Sequence, residues 1–244
     1  MSATIAWEDT SGRFLDRVWI TVWSATSDPV GTFGRLGDST SGDSNSEPDL
    51  EAALRFALVT TVIGWSPFLL ITPCLAALPF AFAEALPDRV RALGLGAMCA
   101  GVGLLPFAFV AASLCAEIVH GAVFHLIARA AGGVGSARAS MHAMLYTSAI
   151  RFWLAPALFL GFVPFIGSMI HLAVRAGFVL WTGIACYGAA RGIHKLDDTR
   201  GLVVGIATPL LSTGLLVFAA FGIGFAFVAL FAETLHLGDL LGPR

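Results

Sequence analysis

The sequence predicts an all-α, polytopic integral membrane protein with five membrane helices behind an N-terminal amphipathic helical head. Four stretches carry no charged side chain: Phe56–Ala83, Ala92–Ala116, Phe152–Val174 and Gly201–Ala232, of 28, 25, 23 and 32 residues. About 20 apolar residues wound as a helix cross the hydrocarbon core of a bilayer, so each stretch is long enough to span. Mean hydropathy is +0.83 and only 12% of residues are charged, too few to clothe a soluble chain of this length.

The charge is unevenly placed. Residues 1–51 hold nine of the sixteen acids and three of the fourteen bases, a net of −6, and the remainder nets +4. An acidic polar head therefore precedes a weakly basic membrane body, and neither half is basic enough for nucleic-acid binding. The opening residues, with Glu8 and Asp9, lack the basic n-region and apolar h-region of a signal peptide, so insertion is expected to begin at the first span. Cys74, Cys99, Cys115 and Cys186 sit in apolar sequence without a CxxC spacing and read as small buried hydrophobes. Thirteen arginines against one lysine, with abundant Ala and Gly, point compositionally to a GC-rich bacterial genome.

The head is expected over residues 1–36. Between Gly12 and Trp23, the residues Phe14, Leu15, Val18, Trp19, Val22 and Trp23 recur at helical spacing opposite Arg13, Asp16 and Arg17. Trp19 and Trp23 on such a face suit the headgroup boundary as interfacial anchors, and equally a cap packed on the membrane domain. Asp28-Pro29 opens a second short turn anchored by Phe33. Residues 37–51 then form a flexible polar linker, because GDSTSGDSNSEPD contains no large apolar side chain.

The five-helix domain, residues 52–235, is expected to have spans at about 56–83, 92–129, 141–162, 166–188 and 202–232, with a short extracytoplasmic tail at 236–244. The first carries Pro67, Pro73 and Pro79, and the second is longer than the bilayer core and must tilt or protrude. Phe152–Val174 could be one straight span. The alternative is two spans, joined by a tight turn at Val163-Pro164-Phe165, with one arginine buried in each. The distribution of positive charge favours the second reading. It puts Arg13, Arg17, Arg35, Arg129, Arg138, Arg191, Lys195 and Arg200 on one side and only Arg89, Arg91 and Arg244 on the other. The N-terminus is then cytoplasmic, the C-terminus extracytoplasmic, and the setting the inner membrane of a bacterium.

This arrangement places Glu117, Arg151 and Arg175 roughly 18–24 Å inside the cytoplasmic boundary, at 1.5 Å per residue. Ionisable groups at that depth face the bundle and one another. The plainer reading is a Glu–Arg pair that locks helix register. The functional one is a polar cluster of Glu117, His120, Arg151 and Arg175 whose surplus positive charge holds an anion or a lipid headgroup. His171, one turn from Arg175, is a further candidate. Glu117-Ile-Val-His120 also has the E-x-x-H spacing of di-iron bundles, but that architecture needs a second copy and two more glutamates. Only Glu84 and Glu233 lie near, so neither metal nor cofactor is expected. His125 and His142 read as hydrogen bonders near the boundary. Gly188-x-x-x-Gly192 and Gly201-x-x-x-Gly205 have the spacing that lets membrane helices approach closely. No phosphate loop, GxSxG or catalytic cluster is present.

Taken together, Trp7-Glu8-Asp9 before an aromatic helix, Asp28-Pro29 with Phe33 before a polar linker, and His125-Leu-Ile-Ala-Arg129-Ala-Ala-Gly132-Gly133 closing span two form a recognisable series. Tyr146, Pro156, Pro164-Phe-Ile-Gly167, and Tyr187-Gly188 before His194 continue it. In these features the chain resembles a bacterial member of the Yip family, named for interaction with Ypt/Rab GTPases. The resemblance implies five membrane helices, a cytoplasmic N-terminus and no enzymatic activity; it supplies no catalytic residues and does not cover Glu117, His120 or Arg175. Two functional classes follow. One is a membrane-organising scaffold acting on the bilayer, a protein partner or a second copy of itself. The other is a small carrier or channel that uses the Glu117, Arg151 and Arg175 level. The absence of an internal repeat favours the scaffold.

The topology is testable directly. Reporters that work only outside the cytoplasm should be active when fused after Arg244 or between Ala85 and Arg91, and silent after Arg138 and Arg200. Activity after Arg200 would overturn the five-span arrangement.

Overall fold

The computed structural model describes residues 5–9, 11–39, 48–81, 88–161 and 167–234. The head forms α1 (Phe14–Ser27) and α2 (Pro29–Ser39). The body contains α3 (Leu50–Ala81), α4 (Asp88–Ala130), α5 (Ala137–Tyr146), a 3₁₀ segment (Thr147–Trp153), α6 (Leu154–Gly161), α7 (Gly167–Gly192) and α8 (Asp198–Thr234). Five stretches within these helices are long and apolar enough to cross a membrane: Leu50–Thr72, Gly103–Ala130, Ala137–Leu160, Leu172–Gly192 and Asp198–Ala226. The fold is that of an all-α polytopic membrane protein. The expected turn at Val163-Pro164-Phe165, most of the linker (residues 40–47), the loop at 82–87 and the tail lie outside the described residues.

Local chemistry explains where the helices begin. Asp49 accepts a hydrogen bond from the Ala52 amide (3.0 Å), so α3 starts at the linker's end and not six residues later where the charges run out. Asp197 accepts from the Arg200 amide at 2.8 Å and starts α8 in the same way. At Asp28-Pro29 the expected short turn is a helix, α2. The proline occupies its first position, where the missing amide costs nothing.

The third span departs from the single helix expected over 141–162. It holds α-helical geometry to Tyr146, tightens to a 3₁₀ helix, and resumes at Leu154. Thr147 turns its hydroxyl back onto the Met144 carbonyl (2.6 Å). Pro156 lacks an amide, and its ring disfavours α geometry around the carbonyl of Phe152. Such mid-helix 3₁₀ segments mark strained or functional positions, and this one carries Arg151.

Head and body share one core. Phe33, Val18, Val22 and Trp7 are buried with Phe56, Tyr146 and Ala189. The glycines at 188 and 192 pack against the head, and not against another membrane helix. A Cβ at Gly188 would stand 2.9 Å from Val30 Cα, and one at Gly192 would overlap the Gly34 backbone. Gly205 does meet a membrane helix: a Cβ there would lie 2.8 Å from the Gly183 carbonyl oxygen, where α8 crosses α7.

Gly192→Ala should therefore push α2 off α7. We expect a loss of ~1–3 kcal/mol from overpacking, read as a lower Tm and faster proteolysis of the head. Gly177→Ala, which meets open space, should be silent. Equal behaviour of the two variants would show that the head is not seated through Gly192.

Candidate functional site

Glu117 and His120 are one turn apart on α4, both buried, and both line a cavity of about 180 Å³ between α4, the 3₁₀ segment, α7 and α8. Arg151 reaches it from the 3₁₀ segment and pairs with Glu117, Nη2 to Oε1, at 2.6 Å. The Thr147 hydroxyl, bonded to the Met144 carbonyl, shares its hydrogen weakly with the second Glu117 oxygen at 3.2 Å, and Arg151 Nη1 donates to Thr61 Oγ1 of α3 at 3.1 Å. Thr182 and Ser212 complete the polar lining. Gly64 makes this possible, because any Cβ there would overlap the Arg151 carbonyl. The backbone carrying the arginine can thus lie directly on α3.

His120 belongs to a second chain of hydrogen bonds. Ser212 gives its hydrogen to the Thr208 carbonyl (2.7 Å), so its oxygen accepts from His120 Nδ1 at 2.8 Å. That tautomer, assigned from the network, leaves Nε2 to accept from the Cys186 thiol at 3.4 Å. Cys186 and Cys115 are free thiols, and among the described residues no group of His, Cys, Asp and Glu is arranged to hold a metal.

Arg175 must be corrected. The structure leaves it exposed on α7 and outside the cavity. It lies one turn beyond the cavity-lining Phe178 and Val179, on a stretch of α7 where Met169 and Leu172 are also exposed. Depth along the helix was legible; contact with the other helices was not. Without Arg175 the surplus positive charge disappears, and the anion reading loses its basis. The His171 side chain lies outside the described residues.

The head reaches the same broken span. Glu8 accepts from His142 Nε2 at 2.7 Å and from the Tyr146 hydroxyl at 3.0 Å. Trp7 donates its indole N–H to the Ala52 carbonyl (2.7 Å), and Trp181 donates to the Thr26 carbonyl (3.3 Å). Trp19 stacks on Trp23, with centroids 5.9 Å apart, and meets Phe152 and Trp153 edge-on. Trp181 lies eleven residues inside Gly192, about 16 Å along α7, so the head lies along the flank of the bundle. One apolar strip of α1, Val18, Val22 and Ala25, is buried on the body. A second strip, Phe14, Leu15, Trp19, Ile20 and Trp23, is 47–74% exposed. The first strip therefore packs as a cap on the body, and the second, with Trp19 and Trp23, is left free of it.

Near the head end, Ser140 Oγ lies 2.8 Å from His194 Nε2 and 3.2 Å from His125 Nδ1. Burial, joined by His125 and Arg129, lowers the His194 pKa to about 4. Ser140 and His194 have the spacing of a nucleophile and base. Both are buried, however, so the pair ties α5 to the α7–α8 loop.

Comparison with family models, with curated proteins and with solved structures finds no match to this chain.

The Glu117–Arg151 pair gives a quantitative expectation. Glu117→Gln leaves a guanidinium unpaired at membrane depth and should cost ~1–4 kcal/mol. Arg151→Gln added to it should recover part of that loss in Tm. Two single variants that are each silent and simply additive would show that the pair does not stabilise the bundle.

Proposed function

We propose that this is a non-enzymatic, membrane-organising protein of the Yip-like kind, set in a bacterial inner membrane with its head on the cytoplasmic side. The observation that supports this most is the double apolar surface of α1. A helix that buries one strip on protein and exposes another of Phe14, Leu15, Trp19, Ile20 and Trp23 needs an apolar medium on its free side. Beside a membrane bundle that medium is lipid. The head then adds volume to the bundle in one leaflet only, an asymmetry that bends or sorts a bilayer without chemistry. Docking on the end that carries Arg129, Arg138, Arg191, Lys195 and Arg200 agrees with a cytoplasmic head.

A carrier or channel is the second reading, and the cavity at Glu117, His120 and Arg151 is the observation in its favour. It is the weaker of the two, because the charges there already neutralise each other and Arg175 stands apart.

The head reading is tested by quenching. In vesicles whose acyl chains carry bromine, Trp19 and Trp23 should be strongly quenched. The double variant Trp19→Phe, Trp23→Phe should lose the quenchable part of the emission. Full accessibility of both tryptophans to an aqueous quencher, with no effect of bromine, would remove the reading.

A further inference from the structure

Between the head and the start of α3 lies a second cavity, of about 520 Å³, within the size range of small-molecule sites. Its lining combines two chemistries. Arg17, Arg55, Asp49, Glu51 and Glu8 supply charge. Trp7, Phe14, Leu58 and Val59 supply apolar surface. Asp49, Glu51 and Arg55 of this lining stand at the start of the first candidate span, Leu50–Thr72, where water would give way to hydrocarbon. Leu54, Leu58 and Val62 follow at intervals of four down the exposed face of α3, 39–43% accessible. They make an apolar track leading from the cavity toward the bilayer core.

From this juxtaposition we infer that the cavity seats the headgroup of a zwitterionic phospholipid bearing a primary amine, with its acyl chains along the Leu54, Leu58 and Val62 track. This rests on the head lying at the membrane boundary. The charge balance selects the headgroup. Glu8 is engaged by His142 and Tyr146, which leaves two arginines against two carboxylates, a match for a zwitterion and not for a net anion. Arg17 donates Nη2 to the Trp7 carbonyl, but its buried Nε has no partner among the described residues. An N–H left so is costly unless something accepts it, and a phosphodiester oxygen is such an acceptor. Arg55 and Glu51 pair with each other at the mouth, about 70% exposed; pairs of that kind contribute little and exchange partners readily. Asp49 and Glu51 can accept hydrogen bonds from a primary ammonium, which a quaternary ammonium cannot donate. The aromatic face that would suit a quaternary ammonium, the Trp7 ring, is occupied by Arg17, 5.0 Å from its centroid.

The test uses the full chain in nanodiscs of phosphatidylcholine mixed with either phosphatidylethanolamine or phosphatidylglycerol, with lipids retained after detergent exchange counted by native mass spectrometry. Phosphatidylethanolamine should be retained about tenfold over both others, the value of one charge-assisted hydrogen bond. Arg17→Gln, which removes the donor to the phosphodiester that all three lipids share, should lower the retention of all three. Asp49→Asn should abolish the preference itself; it keeps a side-chain oxygen to cap α3 and removes only the charge, so that misfolding is not the cause. Arg191→Gln, remote from the cavity, should retain it. Equal retention of the three lipids, preference for phosphatidylglycerol, or full preference in Asp49→Asn would each overturn the inference. Bromine quenching of Trp19 and Trp23 is measured on the same samples. If quenching persists without a lipid preference, only the headgroup site fails; if quenching is absent, the head placement beneath it fails as well.

Discussion

A carboxylate and a guanidinium meet at the middle of an apolar bundle, and neither is tolerable there without the other. The 2.6 Å contact between Glu117 and Arg151 is therefore a constraint that neighbouring structure has to meet. Arg151 must approach α4 and α3 together, and it does so from a 3₁₀ turn that brings its backbone against Gly64. Thr147 and Thr61 take the remaining hydrogen bonds. A regular α-helix through residues 147–153 would turn each residue through 100° instead of 120°, and these side chains would no longer converge.

The same seven residues also receive the head. On one side the segment presents Thr147 and Arg151 to the cavity; on the other, Phe152 and Trp153 meet Trp19. Glu8 reaches the preceding helix at His142 and Tyr146. Any change in how α1 sits is therefore felt by the segment that holds the ion pair, with no long chain of intermediaries. Displacing the head would expose the ends of these hydrogen bonds to solvent and loosen the geometry that keeps Arg151 on Glu117. The head and the intramembrane site are two faces of one packed unit.

Much of this was legible in the sequence, and what was not has a common cause. The five spans follow from charge-free length and from the sidedness of Arg and Lys, both of which are one-dimensional properties. The pairing of Glu117 with Arg151 follows from their equal depth. Rotation about a helix axis and distance between axes are not one-dimensional, and that is where expectation and structure part. Arg175 shares the depth but is exposed on α7 and does not line the cavity. Gly188 and Gly192 have the spacing of a membrane-helix contact, and the helix they admit is α2 of the head. Gly64, without which Arg151 could not approach, sits in a spacing that marks nothing. Thr61 is one of several threonines along α3 that give no sign of what they will bond.

The head's attachment also differs physically from that of a cap on a soluble core. Inside a bilayer, burying apolar surface on protein gains little over leaving it in lipid, so association depends on close packing and on polar ties. The α1–α2 unit uses both. Glycine backbones let α2 lie on α7, while Trp7, Trp181 and Glu8 supply bonds that no lipid chain can replace. Its exposed strip of Phe14, Leu15, Trp19, Ile20 and Trp23 adds nothing to that attachment, because lipid satisfies it equally well. On the placement proposed for the head, the strip would set what surrounds the protein: a leaflet parting around bulky aromatic side chains on the side carrying the head and not on the other, an imbalance to which a bilayer responds without any substrate.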